Sequence, residues 1–276
     1  VNPALATASD WTKDTTSAGI TMTNKYKAAP TKAAFTVVKN LEGRDWTSSD
    51  AFKFTLSSLL GAPMTSDSKV SLTMSNKTGS FGEIKFTAAG TYYYVITEDN
   101  AGTTVNGITY PAATYVKAVV TDNNDGTLSE TTYYGNVAPN VASDTDWTKD
   151  GTGSGVEITN TYAAASTTAG VSVVKDLENR DWTDADAFSF KLTADAATTD
   201  APMPTTTSVS ITNKTANHTA AFGNAVYTAA GTYYYDLTET NADGTAISGT
   251  TTADGLQNAA VKYVKVTVTD NGKGAL

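Results

Sequence analysis

Short runs in which apolar and polar residues alternate follow one another along most of the chain, and Gly, Asn and Asp residues separate them. Because successive side chains of a β-strand point to opposite faces, this alternation predicts strands that bury one face. No long segment shows the period of an amphipathic helix. Segments 122–126 (DNNDG) and 270–274 (DNGKG) are typical of hairpin turns, and they lack the ligand spacing of an EF-hand calcium loop. The pattern therefore predicts an all-β chain of tandem immunoglobulin-like β-sandwiches.

The same sequence pattern occurs twice in the chain. Residues 35–46 (FTVVKNLEGRDW) recur as residues 171–182 (VSVVKDLENRDW), and residues 89–98 (AGTYYYVITE) recur as residues 230–239 (AGTYYYDLTE). A repeat of this length indicates tandem domains, because each copy is long enough to bury a core of its own. The 276 residues therefore correspond to about two domains.

A third repeated block indicates that the chain is offset against its domains. Residues 10–26 match residues 146–162, which are the last element of the first full repeat. The earlier copy stands before any repeat that it could close, and the second repeat has no such block behind it. We therefore expect three units, which are a closing segment of a preceding domain (residues 1–28), a complete domain (residues 30–164) and a domain lacking its last strand (residues 165–276).

Polar residues of three types lie in phase with the apolar positions of three strands. They are Lys39 and Lys175 in the first strand of each repeat, Glu98 and Glu239 at the end of the Tyr-rich strand, and Asn24 and Asn160 in the closing block. An unpaired ammonium or carboxylate in a core costs several kcal/mol. These side chains therefore either face water at strand ends or compensate one another in the core.

Compensation by a covalent bond is chemically available to such a trio. Burial shifts a lysine towards its neutral amine and a glutamate towards its protonated acid. A neutral amine can attack the carboxamide carbon of an asparagine while the glutamate acts as general acid and base. Ammonia leaves and a neutral amide remains, so burial no longer costs a charge. The fold supplies the proximity that this reaction needs.

The order of these motifs resembles the Gram-positive pilin isopeptide-linkage domains of the streptococcal major-pilin type. The resemblance rests on VVKNLEGR around Lys39, GTYYYVITE ending at Glu98 and ITNTY around Asn160, and it extends over nearly the whole chain, twice. It implies immunoglobulin-like domains of a bacterial surface fibre or adhesin stalk, with spontaneous isopeptide bonds. Carried over to this chain, it implies that Lys39 bonds Asn160 with help from Glu98. Lys175 and Glu239 are the matching pair of the second domain.

The second domain has no asparagine of its own in the closing position. Asn24 has the matching sequence context, and we expect it at the far end of the first domain, away from Lys175. We therefore expect the Asn24 segment of one chain to enter the 165–276 domain of a neighbouring chain. Such closure would give a head-to-tail fibre of donated strands, joined by bonds between Lys175 and Asn24. The alternative is that the sequence is a cut from a longer tandem array.

Charge and composition exclude several other functions. The net charge is −9, so no basic face is available for nucleic acid. The chain has no cysteine and no run of 18 apolar residues, so we expect neither disulfides nor membrane insertion of this fragment. One histidine, His218, cannot build a repeated histidine-based zinc or catalytic site. We expect no cofactor, no metal and no enzyme activity beyond self-modification.

The remaining expectations concern location, the arginines and a second function. An acidic, Thr-rich chain without cysteine fits an extracellular location, on the cell surface or cell wall of a bacterium. Arg44 and Arg180 each precede Asp and Trp, and we expect each to pin a turn through a carboxylate and an indole face. The alternative function is an adhesin module that binds a host glycan or matrix protein. No sortase sorting signal is recognisable in the sequence.

Overall fold

The structure is a computed structural model, and it describes residues 7–17, 19–252 and 255–276. The helical turns in this part of the chain are short 3₁₀ turns at Ala8–Asp10, Asp144–Asp146 and Ala216–His218, and none is long or apolar enough to span a membrane. The strands of the first repeat are β1 (Thr31–Ala33), β2 (Thr36–Glu42), β3 (Ala51–Leu59), β4 (Lys69–Thr73), β5 (Thr78–Ser80), β6 (Ile84–Phe86), β7 (Gly90–Glu98), β8 (Thr104–Val105), β9 (Ile108–Thr109), β10 (Thr114–Asp122), β11 (Leu128–Gly135), β12 (Thr148–Lys149) and β13 (Val156–Tyr162). The strands of the second repeat are β14 (Thr167–Val174), β15 (Ala187–Ala194), β16 (Ser208–Thr212), β17 (Thr219–Tyr227), β18 (Gly231–Thr240) and β19 (Lys262–Val268).

The first repeat is built from two main sheets around one core. A six-stranded sheet has the order β12-β11-β10-β7-β3-β4, and a five-stranded sheet has the order β5-β2-β13-β9-β8. Strand β10 shows how sequence alternation decides which face of a strand is buried. Its alternate residues Thr114, Val116, Ala118 and Val120 are all buried. The buried faces of both sheets join in a single apolar cluster. The prediction of an all-β chain is confirmed.

The second repeat has the same plan with fewer strands. A four-stranded sheet has the order β16-β15-β18-β19, and β14 pairs with β17. Phe188, Phe190, Leu192 and Tyr235 are among the residues of its separate core. Among the described residues, no strand pairs with the second edge of β14 or with the outer edge of β19. These two edges correspond to the positions of β13 and β11 in the first repeat.

Strand β13 is the last strand of the first repeat and lies between β2 and β9. It runs parallel to β2, with Asn160 opposite Leu41, and antiparallel to β9. Gly155 stands just before β13 with a φ of 86°, and a Cβ there would collide with the backbone oxygen of Thr36. The position therefore requires glycine for both its backbone conformation and its space. The close fit fixes where the strand enters the sheet.

The N-terminal segment contacts the first repeat near its end. The Tyr26 hydroxyl donates a hydrogen bond of 2.8 Å to Asp122 in the hairpin turn between β10 and β11. Ile20 and Met22 are 94% and 90% exposed. Ile158, which has the place of Met22 in the first repeat, is buried in β13. The segment thus has the sequence of a core strand without the burial of one.

Candidate functional site

Three polar side chains of the first repeat are buried together. Lys39 lies in β2, Glu98 ends β7 and Asn160 lies in β13. Their exposed fractions are 2%, 4% and 0%. Each shares a face with the buried apolar residues of its own strand, because side chains alternate along a strand. The three elements therefore bring an amine, a carboxyl group and a carboxamide into one site.

Glu98 connects the other two side chains. Its Oε1 accepts a hydrogen bond of 2.9 Å from Asn160 Nδ2, and the same oxygen lies 3.6 Å from Lys39 Nζ. Lys39 Nζ also donates a hydrogen bond of 3.0 Å to the backbone oxygen of Ile158, two residues before Asn160. The ring of Phe52 lies 4.9 Å from Nζ on the apolar side of the site. The amine is thereby held beside both the carboxyl group and strand β13.

Desolvation dominates the electrostatics of the site. Burial lowers the pKa of Lys39 to about 8, although the negative charge of Glu98 opposes that shift. Burial raises the pKa of Glu98, although the charge of Lys39 and the hydrogen bond from Asn160 oppose it. Both shifts favour the uncharged forms, a neutral amine and a protonated acid.

Two oxygen atoms of the site have no hydrogen-bond partner. They are Glu98 Oε2 and Asn160 Oδ1. Both are acceptors while Glu98 is ionised, and a buried acceptor without a donor costs free energy. Protonation of Glu98 turns one of its oxygens into a donor. The number of donors and acceptors at the site therefore also favours protonated Glu98.

The second repeat contains two of the three groups. Lys175 Nζ donates a hydrogen bond of 3.0 Å to Glu239 Oε1, and the backbone N–H of Ala259 donates one of 3.0 Å to Glu239 Oε2. The ring of Phe188 lies 4.5 Å from Lys175 Nζ, in the position of Phe52 in the first repeat. Glu239 is buried, whereas Lys175 is only partly covered. Lys175 and Glu239 are thus held together as Lys39 and Glu98 are in the first repeat.

An open groove of about 500 Å³ lies beside Lys175. Residues 175–180 line one side, residues 255–259 line the other, and Phe188 contributes to the wall. In the first repeat, strand β13 occupies the space between the corresponding segments, β2 and β9. The groove therefore has the location of a closing strand.

Asn24 is not brought to Lys175 within the chain. Asn24 is exposed, and Tyr26, two residues further on, is bonded to the β10–β11 turn of the first repeat. The groove beside Lys175 belongs to the second repeat. Asn24 and Lys175 therefore occupy separate parts of the molecule.

Both arginines find carboxylates, and Arg44 lies over a tyrosine ring instead of the expected indole. Arg44 makes two hydrogen bonds to Asp50, of 2.8 and 2.7 Å, and its guanidinium lies 5.1 Å from the ring of Tyr162. The cation over the ring of Trp46 is instead Lys77, at 5.1 Å. The expected indole contact of Arg44 is therefore wrong, because Tyr162 at the end of β13 occupies the place above the guanidinium.

The aromatic residues beneath the two lysines were not predicted from the sequence. Phe52 and Phe188 are both the second residue of the motif Ala-Phe-x-Phe that opens β3 and β15. Their alternation with the polar residue at x would have placed them on a core face. Which lysine each ring contacts depends on packing between two sheets, and no local pattern shows that.

Among the described residues, no group of three or more His, Cys, Asp or Glu side chains could hold a metal ion.

Comparison with known proteins gives the family. A family model described as FctA, Spy0128-like isopeptide containing domain, matches residues 35–163 and 171–276. A comparison with curated proteins gave no match.

Among solved structures, two mutants of the major pilin from Streptococcus pyogenes match at 16% and 14% identity. For each the TM-score is 0.31, and the match covers 88% of this chain and 94% of the pilin. A further structure of that major pilin matches at 14% identity with a TM-score of 0.28, over 88% of this chain and 99% of the pilin. The segments matched by the family model together span most of the chain, which therefore belongs to the FctA family of Spy0128-like isopeptide-containing domains.

Proposed function

We propose that the chain is a structural subunit of a bacterial surface pilus, and that an isopeptide bond between Lys39 and Asn160 closes its first domain. The observation that supports the bond most directly is the position of Glu98 Oε1. This oxygen is hydrogen-bonded to the nitrogen that must leave, and it lies 3.6 Å from the amine that must attack. All three groups are excluded from water.

The reaction conserves charge at every stage. Protonated Glu98 donates its proton towards Asn160 Oδ1, which makes the carboxamide carbon more electrophilic. The neutral amine of Lys39 attacks that carbon and forms the new C–N bond. The Glu98 carboxylate takes a proton from Nζ and delivers one to Nδ2, whose bond to carbon breaks. Ammonia leaves, the carbonyl re-forms as the proton on Oδ1 returns to Glu98, and a neutral amide and a protonated Glu98 remain.

Burial and proximity explain why the reaction needs no added catalyst. Holding the reacting groups in place can supply about 7–11 kcal/mol of the barrier. General acid–base assistance by a positioned carboxyl group adds roughly 10²–10⁴-fold in rate. The product has no charged group left in place of the lysine, so the desolvation cost of the ammonium disappears.

Peptide mapping tests the bond. Trypsin digestion should yield one branched peptide that joins the segment of Lys39 to the segment of Asn160, with the mass of one ammonia missing. Trypsin should also fail to cleave after Lys39, because an acylated lysine has no positive charge. Two separate linear peptides, with cleavage after Lys39, would contradict the bond.

We further propose that the second domain is closed by residues 20–26 of another copy. The support comes from two complementary surfaces. Ile20 and Met22 are almost fully exposed, although their alternation is that of a core strand. The groove beside Lys175 follows an edge of the second repeat that has no strand partner among the described residues. An open strand edge is prone to pair with another chain.

The register of the first repeat says where the donated strand should lie. In the first repeat, Ile158 lies opposite Lys39 in the parallel pair of β13 and β2. The same register in the second repeat places Met22 opposite Lys175. Asn24 would then have the position of Asn160, next to Lys175 and Glu239. The complete trio would form a second isopeptide bond, this time between two chains.

Chain-to-chain linkage is tested on a denaturing gel. Concentrated protein should give a ladder of covalent multimers that Asn24→Ala and Lys175→Ala each abolish. Thr23→Ala is the matched control, because Thr23 has the opposite parity in the strand and should leave the ladder unchanged. Protein that stays monomeric on the gel and in sedimentation would contradict donation between copies, and would favour a closing strand from a longer tandem array.

A further inference from the structure

The end of β13 contacts the turn at residues 270–274, which follows β19 in the second repeat. The Tyr162 hydroxyl donates a hydrogen bond of 2.6 Å to Asp270 Oδ1, and the backbone N–H of Gly274 donates one of 3.1 Å to the Tyr162 oxygen. The backbone N–H of Ala165 donates to the oxygen of Gly274 at 2.9 Å. Arg44 of the first repeat covers the Tyr162 ring. We call this set of contacts the joint.

Two glycines meet at the centre of the joint. A Cβ on Gly107 would lie 2.5 Å from the Cα of Gly274, and a Cβ on Gly274 would lie 2.5 Å from the nitrogen of Gly107. Such distances are too short for carbon contacts, so the two backbones approach closely only because both residues lack a side chain. Gly107 stands in the turn between β8 and β9, while Gly274 belongs to the hairpin turn.

Half of the same joint exists at the N-terminal end of the molecule. The Tyr26 hydroxyl donates to Asp122, and the N–H of Gly126 donates to the Tyr26 oxygen at 3.1 Å. The N–H of Ala29 donates to the oxygen of Gly126 at 2.8 Å. These contacts copy those of Tyr162, but a Cβ on Gly126 would meet nothing within 4 Å. Within residues 7–17, 19–252 and 255–276, Gly126 thus has no counterpart of Gly107 against it.

The other half exists at the opposite end of the molecule. Gly255 has the place of Gly107 in the second repeat, with a φ of 86°, and a Cβ there would also meet nothing within 4 Å. Arg180 has the place of Arg44, and it holds Asp186 by hydrogen bonds of 2.8 and 2.6 Å, as Arg44 holds Asp50. The two half-joints are thus the two complementary sides of a contact that the structure already contains once.

We propose that these half-joints dock on each other between copies of the chain. The hairpin turn at residues 122–126 of one copy would lie against Gly255 of the preceding copy, with Arg180 of that copy over the ring of Tyr26. The guanidinium would then face the carboxylate of Asp122, so the charges are complementary. This proposal rests on the proposed donation of residues 20–26. It adds an interface between copies. This interface would have the same contacts as the joint between the two repeats of one chain.

Glycine-to-alanine variants test the docking. Gly255→Ala and Gly126→Ala place a Cβ where the backbones must meet, and each should slow chain-to-chain linkage by about tenfold or more. Gly244→Ala and Gly102→Ala are the matched controls, because both glycines have a positive φ and open surroundings and neither lies in a half-joint. Association is followed by sedimentation velocity, and linkage by denaturing gel. Thermal unfolding of each variant shows whether its folding is intact.

The outcomes separate the docking from the strand donation. Slow linkage of the two half-joint variants, with wild-type rates for the controls, supports the interface. Linkage of Gly255→Ala and Gly126→Ala at the wild-type rate overturns the interface and leaves strand donation intact. Equal slowing in the controls also overturns it, since loop strain would then be the cause. Failure of the wild-type chain to associate at all overturns strand donation, and the interface with it.

Discussion

Desolvation sets the chemistry of Lys39. A lysine in water is protonated and cannot attack a carboxamide, whereas burial lowers the pKa of this amine to about 8. The same burial raises the pKa of Glu98, so the pair can hold its one proton on the carboxyl group. The surroundings thus prepare a nucleophile and an acid together.

Bond formation should have a bell-shaped pH dependence. At low pH the pair gains a second proton, the amine is protonated and attack stops. At high pH the pair loses its only proton, so no acid remains to polarise Asn160. Unreacted chain recovered from inclusion bodies can be refolded at a series of pH values while ammonia loss is followed by mass. A rate that keeps rising to pH 10 would contradict the role of protonated Glu98.

The pair of Arg44 and Asp50 should make stability sensitive to acid. The hydrogen bonds from Arg44 lower the pKa of Asp50 to about 2, below the value of about 3.9 in an unfolded chain. A depressed pKa contributes stability that is present above the unfolded value and is lost as pH falls through the folded value. The contribution should therefore disappear between about pH 4 and pH 2.

Urea unfolding of wild type and Asp50→Asn measures this effect. The difference in unfolding free energy between the two proteins should be large at pH 5 and should shrink as the pH approaches 2. Glu83→Gln is a suitable control, because the Glu83 ion pair with Lys32 is exposed and contributes little. A constant difference across the pH range would show that Asp50 stabilises by packing alone.

The closing strand is the element on which the first domain depends. Strand β13 brings Asn160 to the site, and its parallel pairing with β2 has Gly155 just before β13 and Gly43 just after β2. A Cβ on Gly155 would collide with the backbone oxygen of Thr36, and one on Gly43 with that of Tyr162. The parallel pairing thus leaves no room for a side chain at either end.

Gly155→Ala should destabilise the first domain. Overpacking against a backbone atom costs about 1–3 kcal/mol, in addition to the strain of alanine at a positive φ. Gly153→Ala is the matched control, because Gly153 also has a positive φ but has nothing near its Cβ position. Chemical unfolding should show a larger loss of unfolding free energy for Gly155→Ala than for the control. Equal losses would mean that the two strands can move apart.

The faces of the strands could be predicted from the sequence, but their partners could not. Alternation placed Lys39, Glu98 and Asn160 in phase with core residues, and the structure buries all three. The parallel pairing of β2 with β13 joins residues far apart in sequence, and no local pattern specifies it. For the same reason the ring beside Arg44 is that of Tyr162 rather than the neighbouring Trp46.

The chain belongs to the family of Spy0128-like isopeptide-containing domains, which fits the structural role in a pilus proposed above. The proposed bond between β2 and β13 would resist tension along the proposed fibre. Force entering at β13 would pass to β2 through a covalent link instead of through hydrogen bonds.

Loss of the bond should weaken only the first domain. The link closes a loop of about 120 residues, and its removal should lower the unfolding free energy by about 4–5 kcal/mol if disulfide energetics apply. Calorimetry of Glu98→Ala should therefore show one transition moved to lower temperature and the other unchanged. A simultaneous shift of both transitions would show that the domains unfold as one unit.

The most direct test of the Lys39–Asn160 bond is the intact mass of the denatured chain. Wild type should weigh less than its sequence by one ammonia, and Glu98→Ala should have the full sequence mass. Glu130→Ala is the matched control, because the Glu130 carboxyl is also partly buried and burial also raises its pKa. It belongs to β11, away from the site, and accepts a hydrogen bond from the Thr132 hydroxyl. This variant should retain the loss of ammonia. A wild-type mass equal to the unmodified sequence would contradict the isopeptide bond and leave a plain tandem β-sandwich stalk.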